Sequence, residues 1–147
     1  MSVKNYPVGT HMAGPIKMGA SSMRLSTDVG GIAAAKVLTA DESNGQTYVL
    51  DGGTGVGITL PVATQGWRCK IVIGANFATD FVITAETAGT MNGTVMEAGV
   101  LQLVGAADTL TLEDGVEVIG DYLEFSSDGT SIFVFGSFST AASVTPA

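Results

Sequence analysis

Cysteine, histidine and tryptophan each occur once in the 147 residues, as Cys69, His11 and Trp67, and cations are scarce, with six Lys and Arg against fourteen Asp and Glu. A single cysteine excludes a disulfide framework or a multi-thiolate metal site within one chain. The single histidine lies near the N-terminus, far in sequence from Cys69, so nothing pairs an obvious base with a nucleophile and no enzyme is expected. The net charge of −8 argues against general affinity for nucleic acid, because neutralising phosphates requires clustered Lys and Arg. No apolar run approaches the ~20 residues of a membrane span. The N-terminus also lacks the apolar block of a signal peptide, so a soluble, unprocessed chain with no membrane partner is the expectation.

Glycine is abundant, at 20 residues, and charged residues make up only 14% of the chain. With frequent Thr and Val, that mixture points to short strands and tight turns. The length fits one domain, burying roughly 70% of its unfolded surface without staples. Charge is unevenly spread. Residues 1–36 hold Lys4, Lys17, Arg24 and Lys36 against Asp28, a balance of +3, whereas the remainder sets Arg68 and Lys70 against thirteen acids, a balance of −11. A mildly basic arm therefore precedes a strongly acidic body.

The most legible stretch is residues 120–136, GDYLEFSSDGTSIFVFG. Two apolar runs flank Asp128-Gly129, a dipeptide suited to a two-residue hairpin turn. That turn sets Phe125 against Ile132 and Leu123 against Val134 on one apolar face, and Glu124 against Phe133 and Tyr122 against Phe135 on the other. The second face carries too much aromatic surface for water, so a second layer or another subunit is expected to cover it.

Before this hairpin, residues 1–31 show no sustained periodicity, being broken by Pro7, Gly9, Gly14, Pro15, Gly19, Gly30 and Gly31 and dotted with Met12, Met18 and Met23. Such composition builds no core of its own. Short strands are expected at residues 37–40, 47–51, 56–60, 67–73, 81–83, 100–104, 109–113 and 116–119. Turns are expected at residues 41–46, 52–55 and 91–94, the last two for their Gly-rich and Asn92-Gly93 signals. Trp67, Cys69, Ile71 and Ile73 share one strand face, and Arg68 and Lys70 the other. Residues 138–147 read as a tail of small residues. The expected organisation is an extended arm (1–35), a β-rich body (36–137) and a C-terminal tail (138–147). The fold class is all-β: a β-sandwich, jelly-roll-like or a small barrel.

Several motifs then follow in order: Lys36-Val37-Leu38-Thr39-Ala40, Thr47-Tyr48-Val49-Leu50-Asp51, a Gly-rich turn ending at Gly57, Thr59-Leu60-Pro61, Ile71-Val72-Ile73-Gly74, Asn92-Gly93, and Gly120-Asp121 through Ser127-Asp128-Gly129-Thr130. In that order the chain resembles small β-rich virion proteins of tailed bacteriophages, most of all the head decoration or cement proteins. The resemblance implies a structural protein on the capsid exterior, commonly a homotrimer, that clamps neighbouring subunits of the major capsid protein. Tail or fibre components are the alternative it leaves open. The basic arm, including Lys4 and the adjoining Tyr6-Pro7, is then the candidate coat-binding segment, able to add a strand to a neighbour's sheet edge.

Other candidates have simpler readings. Cys69, in phase with Trp67 and Ile71, reads as a buried structural thiol. Asp41-Glu42 and Glu113-Asp114 read as solvated turn pairs. The Gly53-x-Gly55-x-Gly57 run lacks the following helix of a nucleotide loop and reads as a β-turn. The Asp-Gly pairs at Asp51, Asp114 and Asp128 are too isolated for a calcium loop, so no metal or cofactor is expected. A host-surface glycan is the alternative ligand class, though exposed aromatics suited to stacking on sugars are few.

Overall fold

The computed structural model describes residues 36–53 and 57–147. Lys4, Tyr6, Pro7, His11 and the rest of the arm lie outside the described residues, as do Thr54, Gly55 and Val56. The described chain is all-β: β1 (Lys36–Val37), α1 (Ala40–Ser43), β2 (Gln46–Gly53), β3 (Ile58–Leu60), β4 (Arg68–Phe77), β5 (Phe81–Ala85), β6 (Met91–Glu97), β7 (Val100–Ala107), β8 (Thr109–Leu112), β9 (Tyr122–Ser127), β10 (Ile132–Phe138) and β11 (Val144–Pro146).

Two mixed sheets result, with strand orders β1-β3-β5-β8-β11 and β2-β4-β9-β10-β6-β7. Early in the chain, successive strands alternate between the sheets. Every second strand returns to its own sheet running the same way, so β2 and β4 pair in parallel, as do β1, β3 and β5. A strand of the opposite layer serves as the crossover that parallel neighbours require. The sheets do not close into a barrel, and their parallel pairs depart from the antiparallel ladders of a jelly roll. The arrangement is sandwich-like. Leu50, Ile71, Leu123 and Val134 of the larger sheet share one buried core with Leu60, Ile83, Leu110 and Val144 of the smaller.

The alternation of β4 is as the sequence implies: Trp67, Cys69, Ile71 and Ile73 are buried, and Arg68 is exposed. Trp67 can be buried because its Nε1 donates to Ser43 Oγ at 3.0 Å. Ser43 ends α1, a helical turn whose N-cap Thr39 accepts from the Glu42 N–H. The expected strand at residues 37–40 is thus cut short, and the expected polar turn is partly helical.

Four further expectations are corrected. The hairpin loop has four residues, 128–131, not two. Val134 pairs with Phe125 and Phe135 with Glu124, a shift of two positions that keeps every side chain on its expected face. The loop widens because Asp128 Oδ1 accepts from both the Thr130 and Ser131 N–H groups at 2.8 Å. Asn92-Gly93 is no turn but part of β6, which runs parallel to β10; Gly93 is needed because a side chain there would collide with the Val134 carbonyl oxygen. Residues 116–119 form no strand, since Glu117 and Asp121 are turned inward to accept from the Phe77 and Val118 N–H groups. Finally, the C-terminal residues do not trail away. β11 pairs with β8, and Glu97 Oε1 accepts from the buried Val144 N–H at 2.6 Å.

Candidate interaction surface

The outer face of the larger sheet collects most of what the sequence singled out. Because β4 pairs with β9, β9 with β10, β10 with β6 and β6 with β7, one row of outward residues runs Lys70, Glu124, Phe135, Thr94, Leu103. The next row runs Val72, Tyr122, Ser137, Met96, Leu101. Beside them Phe133 stands between Ser126 and Asn92. The hairpin's second face is therefore half of a wider apolar surface. Phe135 is 52% exposed, Leu101 63% and Leu103 74%, with Met96 and Phe133 also exposed. No described residue covers them.

Polar contacts lie at the β4 side. Lys70 Nζ is 2.9 Å from Glu124 Oε1 and 4.1 Å from the centroid of the Tyr122 ring, so one ammonium group joins an ion pair to a cation–π contact. Both charged partners are partly solvated, which keeps the pair's contribution to stability small. Beside it lies a groove of about 300 Å³ bordered by Gln46, Thr47, Arg68, Lys70, Glu124 and Phe135. Of the body's thirteen acids after residue 36, only Glu124 belongs to these rows, and it faces Lys70 and neighbours Arg68. The surface is apolar and close to neutral on an otherwise acidic body.

The remaining candidates are dispersed. Burial pushes the Cys69 thiol up to about 12, so it is protonated at neutral pH and enclosed, with none of the thiolate character of a nucleophile. Asp41 and Glu42 lie in the single turn of α1, and Glu42 lies 3.8 Å from Lys36. A hydrogen bond with the Asp80 side chain raises Asp114 above the ordinary carboxylate range, with burial and repulsion from Asp80 and Glu117 adding to it. Backbone donors from Ser131 and Thr130 lower Asp128. No group of three or more His, Cys, Asp and Glu among the described residues is arranged to hold a metal ion.

Sequence reasoning found Tyr122, Glu124, Phe133 and Phe135 but missed Met96, Leu101 and Leu103. Alternation within β7 marks Leu101 and Leu103 as sharing a face, yet only the β10–β6 parallel pairing joins that face to the hairpin. Compared with family models, curated proteins and solved structures, the chain finds no match.

Proposed function

We propose that the protein is a capsid decoration protein of a tailed bacteriophage, which binds the outside of the head and stabilises contacts between coat subunits. One observation carries this reading. Large apolar side chains from β6, β7 and β10 stand together on one sheet face with few charges, on an otherwise acidic body. A patch of that kind marks a surface that another protein covers. The order of the phage-like motifs adds support, with Thr47-Tyr48-Val49-Leu50-Asp51 within β2 and Thr59-Leu60-Pro61 ending β3.

The mechanism is mechanical. Apolar surface buried across a seam between coat subunits raises the cost of separating them, by ~25 cal/mol per Å² before the costs of association are subtracted. The basic arm supplies a second contact through Lys4, Lys17 and Arg24. Heads that lack the protein should bind the full chain and fail to bind Phe133→Asp, a change at an exposed position that should leave the circular dichroism spectrum unaltered. Full occupancy by Phe133→Asp would remove the face from the mechanism. Removing residues 1–31 tests the arm separately, with loss of particle binding by a folded body as the expected result.

A second reading is favoured by the groove beside Phe135, where an aromatic wall adjoins Arg68, Lys70 and Glu124. Such a lining suits a glycan of the host surface. A flat response on a glycan array would dismiss it.

A further inference from the structure

β7 is the edge of the larger sheet, and no described strand pairs with its free side. Edge strands are normally shortened, charged or interrupted, since their unpaired backbone groups invite another strand. The other described edges follow that rule. β1 has two residues and begins with Lys36, β11 has three and contains Pro146, and the ladder of β2 shifts between Leu50 and Asp51. β7 has eight residues, VLQLVGAA, with no charge and no proline, and its ladder with β6 shifts only beyond Val104, opposite Met91 and Gly93, so residues 100–104 form a regular, unguarded edge. A groove of about 290 Å³ bounded by Gln102, Leu103, Gly105, Ala107, Pro146 and Ala147 lies along its C-terminal half.

The sequence around this edge reads the same in both directions. Residues 98–106 are Ala-Gly-Val-Leu-Gln-Leu-Val-Gly-Ala, centred on Gln102. The backbone departs from that symmetry at its ends, since Ala98 and Gly99 form the turn between β6 and β7 whereas Gly105 and Ala106 lie within β7, so the symmetric strand is residues 100–104. Any strand can pair antiparallel with its own copy, but here every facing pair would also match in size. Leu101 would meet Leu103 of the partner subunit, and Val100 would meet Val104 of the partner subunit. Directly opposed residues of an antiparallel pair point to the same side, so the leucines of both copies would merge on the outer face.

Gln102 falls on the two-fold axis. Its Oε1 is enclosed and accepts no hydrogen bond from any described residue, an arrangement that costs free energy in an isolated chain. Across the axis stands another Gln102 amide, and turning the two amides toward each other gives each oxygen an N–H donor. Charge permits the approach as well. A second copy carries the same acidic excess, and β7 meets it without bringing any carboxylate of its own strand to the seam.

We infer that two copies of this chain associate through β7, antiparallel about Gln102, extending the six-stranded sheet into one continuous twelve-stranded sheet. The association is isologous and closes on itself, unlike the trimer that the phage resemblance implies. It needs no coat lattice and is tested on purified protein, so it stands or falls apart from the virion reading.

The test is the mass of the full chain in solution over a concentration series, by light scattering on a sizing column, together with two substitutions. The expected mass at high concentration is that of two 14.9 kDa chains. Leu103→Lys places an ammonium group on the exposed edge and should leave a folded single chain. Gln102→Cys places two thiols across the axis, at a separation suited to a disulfide, and should give a cross-linked dimer in oxidised glutathione. Leu103→Cys, whose counterpart is Leu101 of the partner subunit, should not cross-link to itself. A single-chain mass at every concentration, a three-chain mass, a dimeric Leu103→Lys, or equal cross-linking of Gln102→Cys and Leu103→Cys would each overturn the inference. If Leu103→Lys fails to fold, the two cysteine variants decide.

Discussion

Phe135 stands directly across from Glu124 in the β9–β10 ladder, so an exposed phenyl ring and a carboxylate occupy facing positions on the outer surface. Phe133, two residues earlier, faces Ser126 instead. An aspartate at 135 would oppose a carboxylate, which costs of order 1 kcal/mol, whereas an aspartate at 133 would meet a hydroxyl. Phe135→Asp should therefore lower the urea midpoint more than Phe133→Asp, while both weaken particle binding. Equal midpoints would mean that the charge opposite position 135 is immaterial.

Ser43 receives the indole N–H of Trp67 inside the core. Ser43→Ala leaves that donor buried without an acceptor, at a cost of about 1–3 kcal/mol. Urea denaturation followed by the fluorescence of the single tryptophan reads the loss directly. An unchanged midpoint would contradict the account of why Trp67 can be buried.

Glu97 on β6 holds β11 through the Val144 N–H. Glu97→Ala should raise the hydrogen-exchange rate of the Val144 amide far more than that of Ile132 in β10. It should also lower stability by about 1–3 kcal/mol, the penalty for a buried donor left unmet. Unchanged protection at Val144 would show that pairing with β8 alone secures the C-terminal strand.

Two exposed carboxyls should give opposite pH signatures. Asp128 is held below the ordinary value of 3.8 by the Ser131 and Thr130 N–H groups, so its contribution is present above 3.8 and lost as pH falls through the folded value. Asp114 is raised above 3.8 by Asp80, so its contribution is present below 3.8 and lost as pH rises through the folded value. From about pH 5 to about pH 2, the stability advantage of the native chain over Asp128→Asn should shrink, and its standing relative to Asp114→Asn should improve. Denaturation midpoints across that range check both signs; parallel profiles would refute them.

Local chemistry was legible in β4 and in the final hairpin, though not at residues 116–119, where inward-turned Glu117 and Asp121 replace a strand. The alternation of Trp67, Cys69, Ile71 and Ile73 gave the buried face of β4, and the two faces of the final hairpin were assigned correctly although its register was not. The register was missed because a side chain, Asp128, and not the Asp-Gly backbone, organises the turn. Asn92-Gly93 misled for a related reason. Glycine there answers the close approach of Val134, a residue some forty positions away, and nothing local distinguishes that need from a turn. The candidate surface was half legible. Tyr122, Glu124, Phe133 and Phe135 are neighbours in sequence, but Leu101, Leu103 and Met96 join them only through non-local pairing.

The central claim, that this is a protein of the capsid exterior, is tested most directly by electron microscopy of intact virions bearing gold-labelled antibody against this chain. The account predicts label over the head surface, at sites that empty when Phe133→Asp replaces the native chain. Label confined to the tail, or absent from the particle, would contradict it.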